Sequence, residues 1–177
     1  VELQDSIQLS SIIVNMGTSY NYLGELDSAL SYFNQSLIIK EKLNDQNREV
    51  VYNNIGSIKE KRNKLDEAID FYNKSIAVAT ANKNEIQLID TYHNIGKAYK
   101  KKKQYSIALD YYFKALEFAE KHKKEYRILD ILSGIGKVYE LLEDYENANL
   151  YNERHIVVRN QLEAKARKAT AAIQTLN

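Results

Sequence analysis

The chain has 177 residues, of which 44% are hydrophobic and 28% are charged, and its formal net charge is +1. This balance predicts an ordered protein with a substantial core, and it argues against a nucleic-acid-binding surface, which is normally strongly basic. No apolar run approaches the roughly 18 residues of a membrane span, and the absence of cysteine excludes disulfides and thiolate chemistry.

A glycine recurs along the chain at a nearly fixed spacing. Gly17, Gly56, Gly96 and Gly136 are separated by 39, 40 and 40 residues. An alanine stands twelve residues after each of them, at Ala29, Ala68, Ala108 and Ala148. A period of this size is typical of stacked repeats. Because proline is absent and apolar residues recur every three or four positions on both sides of a polar break, each unit is predicted to contain two amphipathic helices.

The predicted helices follow in chain order as four pairs. They cover residues 4–22 and 27–43, 46–62 and 66–82, 85–102 and 105–123, and 125–142 and 145–175. The repeat domain is predicted to cover 1–158, with units at 4–43, 46–82, 85–123 and 125–158, followed by a C-terminal helix extension over 159–177. Asp27, Asp66 and Ser106 lie near the starts of second helices, where we expect them to cap free amides.

The second helix of the fourth unit departs from the pattern. Asn149 stands where the earlier units have Leu30, Ile69 and Leu109. Asn152 stands where they have the aromatic residues Phe33, Tyr72 and Tyr112. His155 stands where they have the small residues Ser36, Ser75 and Ala115. We interpret the change as a terminal cap, which stacked repeats need for solubility. The alternative is an interface with a partner or a second copy, formed by these residues and Leu162 within a short coiled-coil-like run.

The pattern as a whole resembles the tetratricopeptide repeat. The residues that carry the resemblance are a large apolar residue before each glycine (Met16, Ile55, Ile95, Ile135), tyrosine three later (Tyr20, Tyr99, Tyr139) and an aromatic sixteen later (Phe33, Tyr72, Tyr112). The units exceed the usual length of about 34 residues and lack the common proline. They look like the long units of bacterial sensor and regulatory proteins. The resemblance implies an all-α, right-handed solenoid of four hairpins, with the first helices lining a concave groove.

Asparagines recur at one position of the first helices. Asn15, Asn54 and Asn94 each stand two residues before a repeat glycine. A side-chain amide both donates and accepts hydrogen bonds, so these residues could form a ladder along a peptide backbone, as the resemblance implies. The alternative is that each asparagine bonds to a neighbouring helix or merely faces solvent. His93, Lys97, Lys137, Asp90 and Asp130 are predicted to lie beside the ladder and to select ligand side chains.

The sequence predicts no catalytic, metal or cofactor site. Its three histidines form no metal-binding spacing, and there is no phosphate-binding loop. We therefore predict a non-enzymatic scaffold that binds a protein or peptide, within a regulatory or signalling protein of bacterial type. The alternative is a dimerisation or spacer module that acts through the C-terminal helix. The start at Val1 suggests a piece of a longer protein. We favour the cytoplasm, with the periplasm as the alternative for part of a membrane sensor.

Overall fold

The structure is a computed structural model that describes the backbone of residues 2–174 and the side chains of residues 7–171 and 173. Within this part of the chain there are eight helices and no strands. The helices are α1 (Glu2–Tyr22), α2 (Leu26–Lys42), α3 (Glu49–Lys61), α4 (Leu65–Ala81), α5 (Glu85–Lys101), α6 (Tyr105–Lys121), α7 (Glu125–Leu141) and α8 (Tyr145–Gln174). Consecutive pairs form units 1 to 4. The prediction of an all-α solenoid of four hairpins is confirmed.

The helices lie in two layers that differ in their spacing. The odd-numbered helices contact their neighbours in the same layer, α1 with α3, α3 with α5, and α5 with α7. Over residues 2–174, the even-numbered helices contact only odd-numbered ones. Since the odd layer is the more closely spaced, it forms the inner, concave side of the solenoid.

The repeat glycines bring the two helices of each unit together. A Cβ atom added to Gly17, Gly56 or Gly96 would lie 2.6–2.8 Å from the ring of Phe33, Tyr72 or Tyr112, respectively. Real Cβ atoms do not approach other atoms this closely, so only glycine allows these rings to be fully buried. A side chain at any of these three positions would push the helices of its unit apart.

A second contact recurs between the helices of three units. The tyrosine three residues after the glycine stacks on an aromatic residue of the even helix. The ring centroids are 5.2 Å apart for Tyr20–Tyr32, 5.6 Å for Tyr99–Tyr111 and 5.6 Å for Tyr139–Tyr151. Unit 2 has Lys59 at the tyrosine position, and there Phe71 packs instead against Tyr52. The repeat pattern of the sequence thus reflects the contacts between the two helices of each unit.

The turns between helices are nearly uniform. Six of the seven have three residues, and the middle residue has a positive φ: Gly24, Asn63, Lys83, Lys103, Lys123 and Glu143. Each turn closes with a pair of backbone hydrogen bonds, such as Lys123 N–H to the Glu120 carbonyl and Lys124 N–H to the Ala119 carbonyl. This pair is the Schellman motif, which satisfies the last carbonyls of a helix.

The turn between α2 and α3 is the exception. It contains six residues, and α3 begins at Glu49, three residues later than the predicted start at 46. Unit 1 is one residue shorter than the others, and the chain accommodates the deletion by unwinding the first turn of α3. There Asp45 accepts a hydrogen bond from the backbone N–H of Asn47 at 2.8 Å and pairs with the buried Lys40 at 2.6 Å.

The predicted capping residues play another role. The N-cap positions of α2, α4 and α6 are Glu25, Lys64 and Gln104, and none of these three side chains caps its helix. Asp27 and Asp66 lie two residues past the N-cap positions of their helices. They form ion pairs with Arg62 and Lys102 of the following unit. The prediction of caps at Asp27, Asp66 and Ser106 is therefore wrong: the two aspartates pair with the next hairpin instead, and Ser106 lies two residues past the N-cap position Gln104.

Helix α8 continues without a break through the predicted domain boundary at 158/159. Val158 still packs against the core of the last two units, and Lys165 forms an ion pair with Glu125 of α7. The exposed apolar side chains of α8 include Leu150, Ile156, Val157 and Ile173.

Candidate ligand-binding groove

A cavity of about 320 Å³ opens on the concave side, between the C-terminal end of α1, the middle and C-terminal end of α3, the middle of α5 and the N-terminal end of α7. The residues that line it are Thr18, Asn21, Tyr22, Asn53, Asn54, Ser57, Lys61, Asp90, His93, Asn94 and Arg127. Four of the predicted binding residues are therefore brought together here: Asn54, Asn94, His93 and Asp90. All four are half-buried.

The three asparagines of the predicted ladder have different surroundings. The Nδ2 of Asn94 donates a hydrogen bond to Oδ1 of Asn53 at 3.1 Å, so part of its capacity is used by the neighbouring helix. The side chain of Asn54 has no hydrogen-bond partner among the described residues. Asn15 lies apart from both, in a separate depression of about 260 Å³ between units 1 and 2. Only two of the three asparagines thus share a cavity.

The predicted acidic residues are engaged by an arginine on α7. Nε of Arg127 lies 2.7 Å from Oδ1 of Asp90, and its Nη1 lies 3.8 Å from Oδ2 of Asp130. Burial raises the pKa of Asp90 above its ordinary value, and the nearby Asp130 adds to this, while Arg127 opposes both. The arginine therefore holds the two carboxylates together at one edge of the groove.

A second cavity, of about 310 Å³, lies further along the concave side, against units 3 and 4. The residues that line it are His93, Lys97, Lys100, Tyr112, Asp130, Ser133, Gly134, Lys137, Glu140 and Asn152. Nζ of Lys137 lies 2.8 Å from Glu140, and Nζ of Lys97 lies 3.8 Å from Glu60. Burial lowers the pKa of Lys100, and the neighbouring Lys97 and Lys137 lower it further.

His93 separates the two cavities and lines both of them. Its ring lies 5.7 Å from the ring of Tyr112, centroid to centroid. Burial, followed by the charges of Lys97, Arg127 and Lys100, lowers the pKa of His93 to about 4. At neutral pH the imidazole is therefore uncharged, with one nitrogen able to donate and the other able to accept a hydrogen bond.

Several residues of the groove were not predicted from the sequence. Asn53 stands three residues before its glycine, and Asn21 and Glu140 each stand four residues after theirs. A helix places residues three and four positions apart on one face. The position relative to the repeat glycine, which led to His93, could therefore have identified these residues as well. Arg127, nine residues before Gly136, had no counterpart that could have identified it.

The residues of the predicted cap or interface differ in how far they are buried. Asn149 is exposed, whereas His155 and Leu162 are half-buried. Asn152 points back into its own unit, where Nδ2 lies 3.4 Å from Glu140 and Oδ1 occupies the space beside Gly136. Asn152 thus takes the place that aromatic rings hold in units 1 to 3.

Other kinds of site were sought in the described part of the chain. No group of three or more histidine, aspartate or glutamate side chains there could hold a metal ion. Among the same residues, no helix has the length and apolarity needed to cross a bilayer.

Comparison with known families identifies the repeat. A family profile described as tetratricopeptide repeat matches residues 8–81 and 47–121, which together exceed half of the chain. No curated protein sequence matches the chain.

Several solved structures have the same fold. BtubC from P. vanneervenii superposes with a TM-score of 0.80 at 18% identity over 89% of this chain. Aspartyl phosphate phosphatase F from Bacillus subtilis gives a TM-score of 0.83 at 18% identity over 89% of this chain. The apo form of RapI gives a TM-score of 0.81 at 18% identity over 93% of this chain. The chain spans 66%, 42% and 60% of the lengths of these three proteins, respectively.

Proposed function

Because the chain belongs to the tetratricopeptide repeat family, we propose that it is a recognition module whose concave groove binds a segment of another protein. The module belongs to a regulatory or signalling protein of bacterial type. The length of the units supports this context, since units near 40 residues resemble those of bacterial sensor proteins, and one similar fold comes from Bacillus subtilis.

The observation that carries the proposal is the unused hydrogen-bonding capacity of the first cavity. The side chains of Asn54, Ser57 and His93 line it, and none of the three has a hydrogen-bond partner among the described residues. Polar groups that a ligand removes from water normally need a new hydrogen-bond partner. A peptide backbone offers one donor and one acceptor at each residue, so a bound segment would satisfy these groups as it enters.

The proposal is tested with peptides selected from a random display library against the immobilised protein. Their affinities are then measured by calorimetry for the wild type and for Asn54→Ala. We expect the substitution to weaken binding about 3- to 10-fold, since one net hydrogen bond contributes roughly 0.5–1.5 kcal/mol. Asn54 has no internal partner in the described structure, so its removal should leave the helical circular dichroism spectrum unchanged.

Asn73→Ala is the matched control. Asn73 is exposed on α4, an even-numbered helix of the convex layer, so we expect its removal to leave peptide affinity unchanged. Selected peptides whose affinity is lowered by Asn73→Ala and not by Asn54→Ala would place recognition on the convex side, against the proposal.

A second candidate function is self-association through α8. Its exposed face carries Leu150 and Val157, which are 50% and 54% exposed, beside a depression of about 350 Å³. In units 1 to 3 the even helix packs against the next odd helix, and α8 has no such neighbour within the described residues. A second copy could cover this face. Asn152 would not take part, because it points into its own unit.

A further inference from the structure

One pair of positions recurs in every unit and joins the inner and outer layers. The first member stands four residues after the repeat glycine on the odd helix, and the second stands sixteen residues after it on the even helix. The pairs are Asn21 with Phe33, Glu60 with Tyr72, Lys100 with Tyr112, and Glu140 with Asn152.

In units 2 and 4 this pair is a donor facing a carboxylate. The hydroxyl of Tyr72 donates to Oε2 of Glu60 at 3.0 Å, and Nδ2 of Asn152 lies 3.4 Å from Oε1 of Glu140. In unit 1 the outer residue is Phe33, which has no polar atom to satisfy. In three of the four units, therefore, the outer residue either has an acceptor on the inner helix or needs none.

Unit 3 has the outer donor without the inner acceptor. Tyr112 is fully buried, and its hydroxyl oxygen has no hydrogen-bond partner in the described structure. The position that holds glutamate in units 2 and 4 is Lys100, and an ammonium group can only donate. Lys100 also forms no ion pair with any described residue, whereas its neighbour Lys101 pairs with Glu60 at 2.7 Å.

Both members of the mismatched pair line the second cavity. Three lysines, Lys100 among them, and two carboxylates line this cavity, so the charges of its lining sum to one positive charge. Gly134 forms part of the wall, and a Cβ atom there would lie 3.2 Å from the Tyr112 hydroxyl. Because Gly134 has no side chain, the buried ring of Tyr112 packs against its backbone and forms part of the cavity wall.

We propose that the second cavity is a binding site for one carboxylate group of the bound segment, which takes the place of the glutamate that unit 3 lacks. Lys100 supplies the paired charge, and the hydroxyl of Tyr112 donates a hydrogen bond to the carboxylate. A single negative charge balances the lining, so a carboxylate fits the site better than a phosphate dianion does. The inference rests on the proposed groove function for the origin of the group, which is an acidic side chain or a chain terminus of the bound segment.

The test uses acetate, which carries the proposed group without a peptide. Amide chemical shifts of the ¹⁵N-labelled protein are followed as sodium acetate is added, with sodium chloride at equal ionic strength as the reference and sodium phosphate as a second anion. We expect saturable shifts around Gly134 and Lys137 with acetate, and a lower affinity for phosphate. Lys100→Gln should weaken acetate binding at least 5-fold, and Tyr112→Phe about 3-fold or more.

Two matched variants serve as controls. Tyr72→Phe removes the hydroxyl at the same position of unit 2, where Glu60 already accepts its hydrogen bond, and Lys42→Gln removes an exposed lysine outside the cavity. Both should leave acetate binding unchanged. Tyr112→Phe should fold, because phenylalanine occupies the matching position in unit 1.

Each outcome decides between the two proposals. Shifts with acetate no larger than those with chloride, or binding that survives both Lys100→Gln and Tyr112→Phe, would overturn the carboxylate site, and tighter binding of phosphate would overturn its assignment to a carboxylate. If selected peptides bind in an Asn54-dependent manner while acetate does not bind, the groove function stands and this inference fails. If acetate binds as expected and no peptide enters the groove, the carboxylate site stands and the groove function fails.

Discussion

At the scale of single residues, His93 shows how the groove changes the chemistry of a side chain. Its imidazole lies between the two cavities, with Lys97, Lys100 and Arg127 as its charged neighbours. Burial and these three cations all disfavour a further positive charge. The folded protein therefore holds His93 neutral under conditions in which an unfolded chain would protonate it.

This difference predicts a pH dependence of stability. The pKa of His93 is about 4 in the folded protein against the ordinary value of 6.5, so between these values the unfolded state binds more protons. The contribution of His93 to the free energy of unfolding is complete above pH 6.5. It is lost as the pH falls towards 4, by at most about 1.4 kcal/mol per pH unit. We expect the wild type to lose about 1–2 kcal/mol more than His93→Gln between pH 7 and pH 5, measured by urea unfolding.

Equal losses in the two proteins would contradict this prediction. An independent measurement is the imidazole NMR signal of His93, which should show no titration between pH 8 and pH 5. A signal that titrates with a midpoint near pH 6.5 would mean that the ring is solvated and able to accept a proton.

The residue scale is also where the sequence was least informative. The spacing to the glycine correctly places Asn54, Asn94 and His93 on the inner layer, because that spacing depends on one helix alone. It cannot tell that Asn94 bonds to Asn53, since this contact depends on the stagger between two units. For the same reason it could not foresee that Arg127 holds Asp90 and Asp130 together.

At the scale of the secondary-structure elements, the turns account for the regularity of the stack. Six turns have three residues, and all seven close by the same pair of backbone hydrogen bonds. Five of the three-residue turns place a residue other than glycine at a positive φ, where side chains are strained by roughly 1–2 kcal/mol. The chain therefore keeps a uniform turn geometry without the glycine that usually supports it.

This strain can be relieved by substitution. Lys123 has a φ of 52°, is exposed and forms no ion pair with a described residue. We expect Lys123→Gly to raise the free energy of unfolding by roughly 0.5–1 kcal/mol, because glycine adopts this conformation without strain but gains freedom in the unfolded chain. The measurement is the midpoint of urea unfolding, which should increase.

Ala77→Gly is the control for this substitution. Ala77 is exposed in the interior of α4, where glycine lowers stability by about 1 kcal/mol. The two glycine substitutions should therefore shift the midpoint in opposite directions. A decrease for both would mean that the turn at Lys123 is not strained.

The helices themselves could be predicted because their signals are local. Periodicity located all eight helices, and the largest error was three residues, at the start of α3. That error arose because a one-residue deletion changes the geometry between two helices without disturbing the pattern within either of them. The predicted caps were wrong for a similar reason: the partners of Asp27 and Asp66 lie 35 and 36 residues away.

At the scale of the whole molecule, the core is divided rather than continuous. One cluster of buried residues joins unit 1 to α3, a second joins α4 to α5, and a third extends from α5 to α8. Helices of successive units cover each cluster. Among the described helices α8 is the last, and its outer side carries an apolar face. What covers that face determines whether the chain acts alone or as a pair.

The second candidate function predicts a dimer that depends on this face. Sedimentation analysis should then show a dimer for the full chain and a monomer for a chain that ends near residue 158. The double substitution Leu150→Glu and Val157→Glu should dissociate the dimer by burying charge at the contact. Ile38→Glu is the control, since Ile38 is 53% exposed but lies on α2, at the other end of the stack. A monomeric full chain would contradict this function.

The unwound first turn of α3 has a mechanical consequence. Six turns of the stack have three residues, whereas the turn between units 1 and 2 has six and is also held by the Lys40–Asp45 pair. A tensile load applied along the solenoid would concentrate its deformation at this most compliant joint. Unit 1 would then swing as one arm of a hinge, widening or narrowing the entrance to the groove while the curvature of units 2 to 4 is preserved.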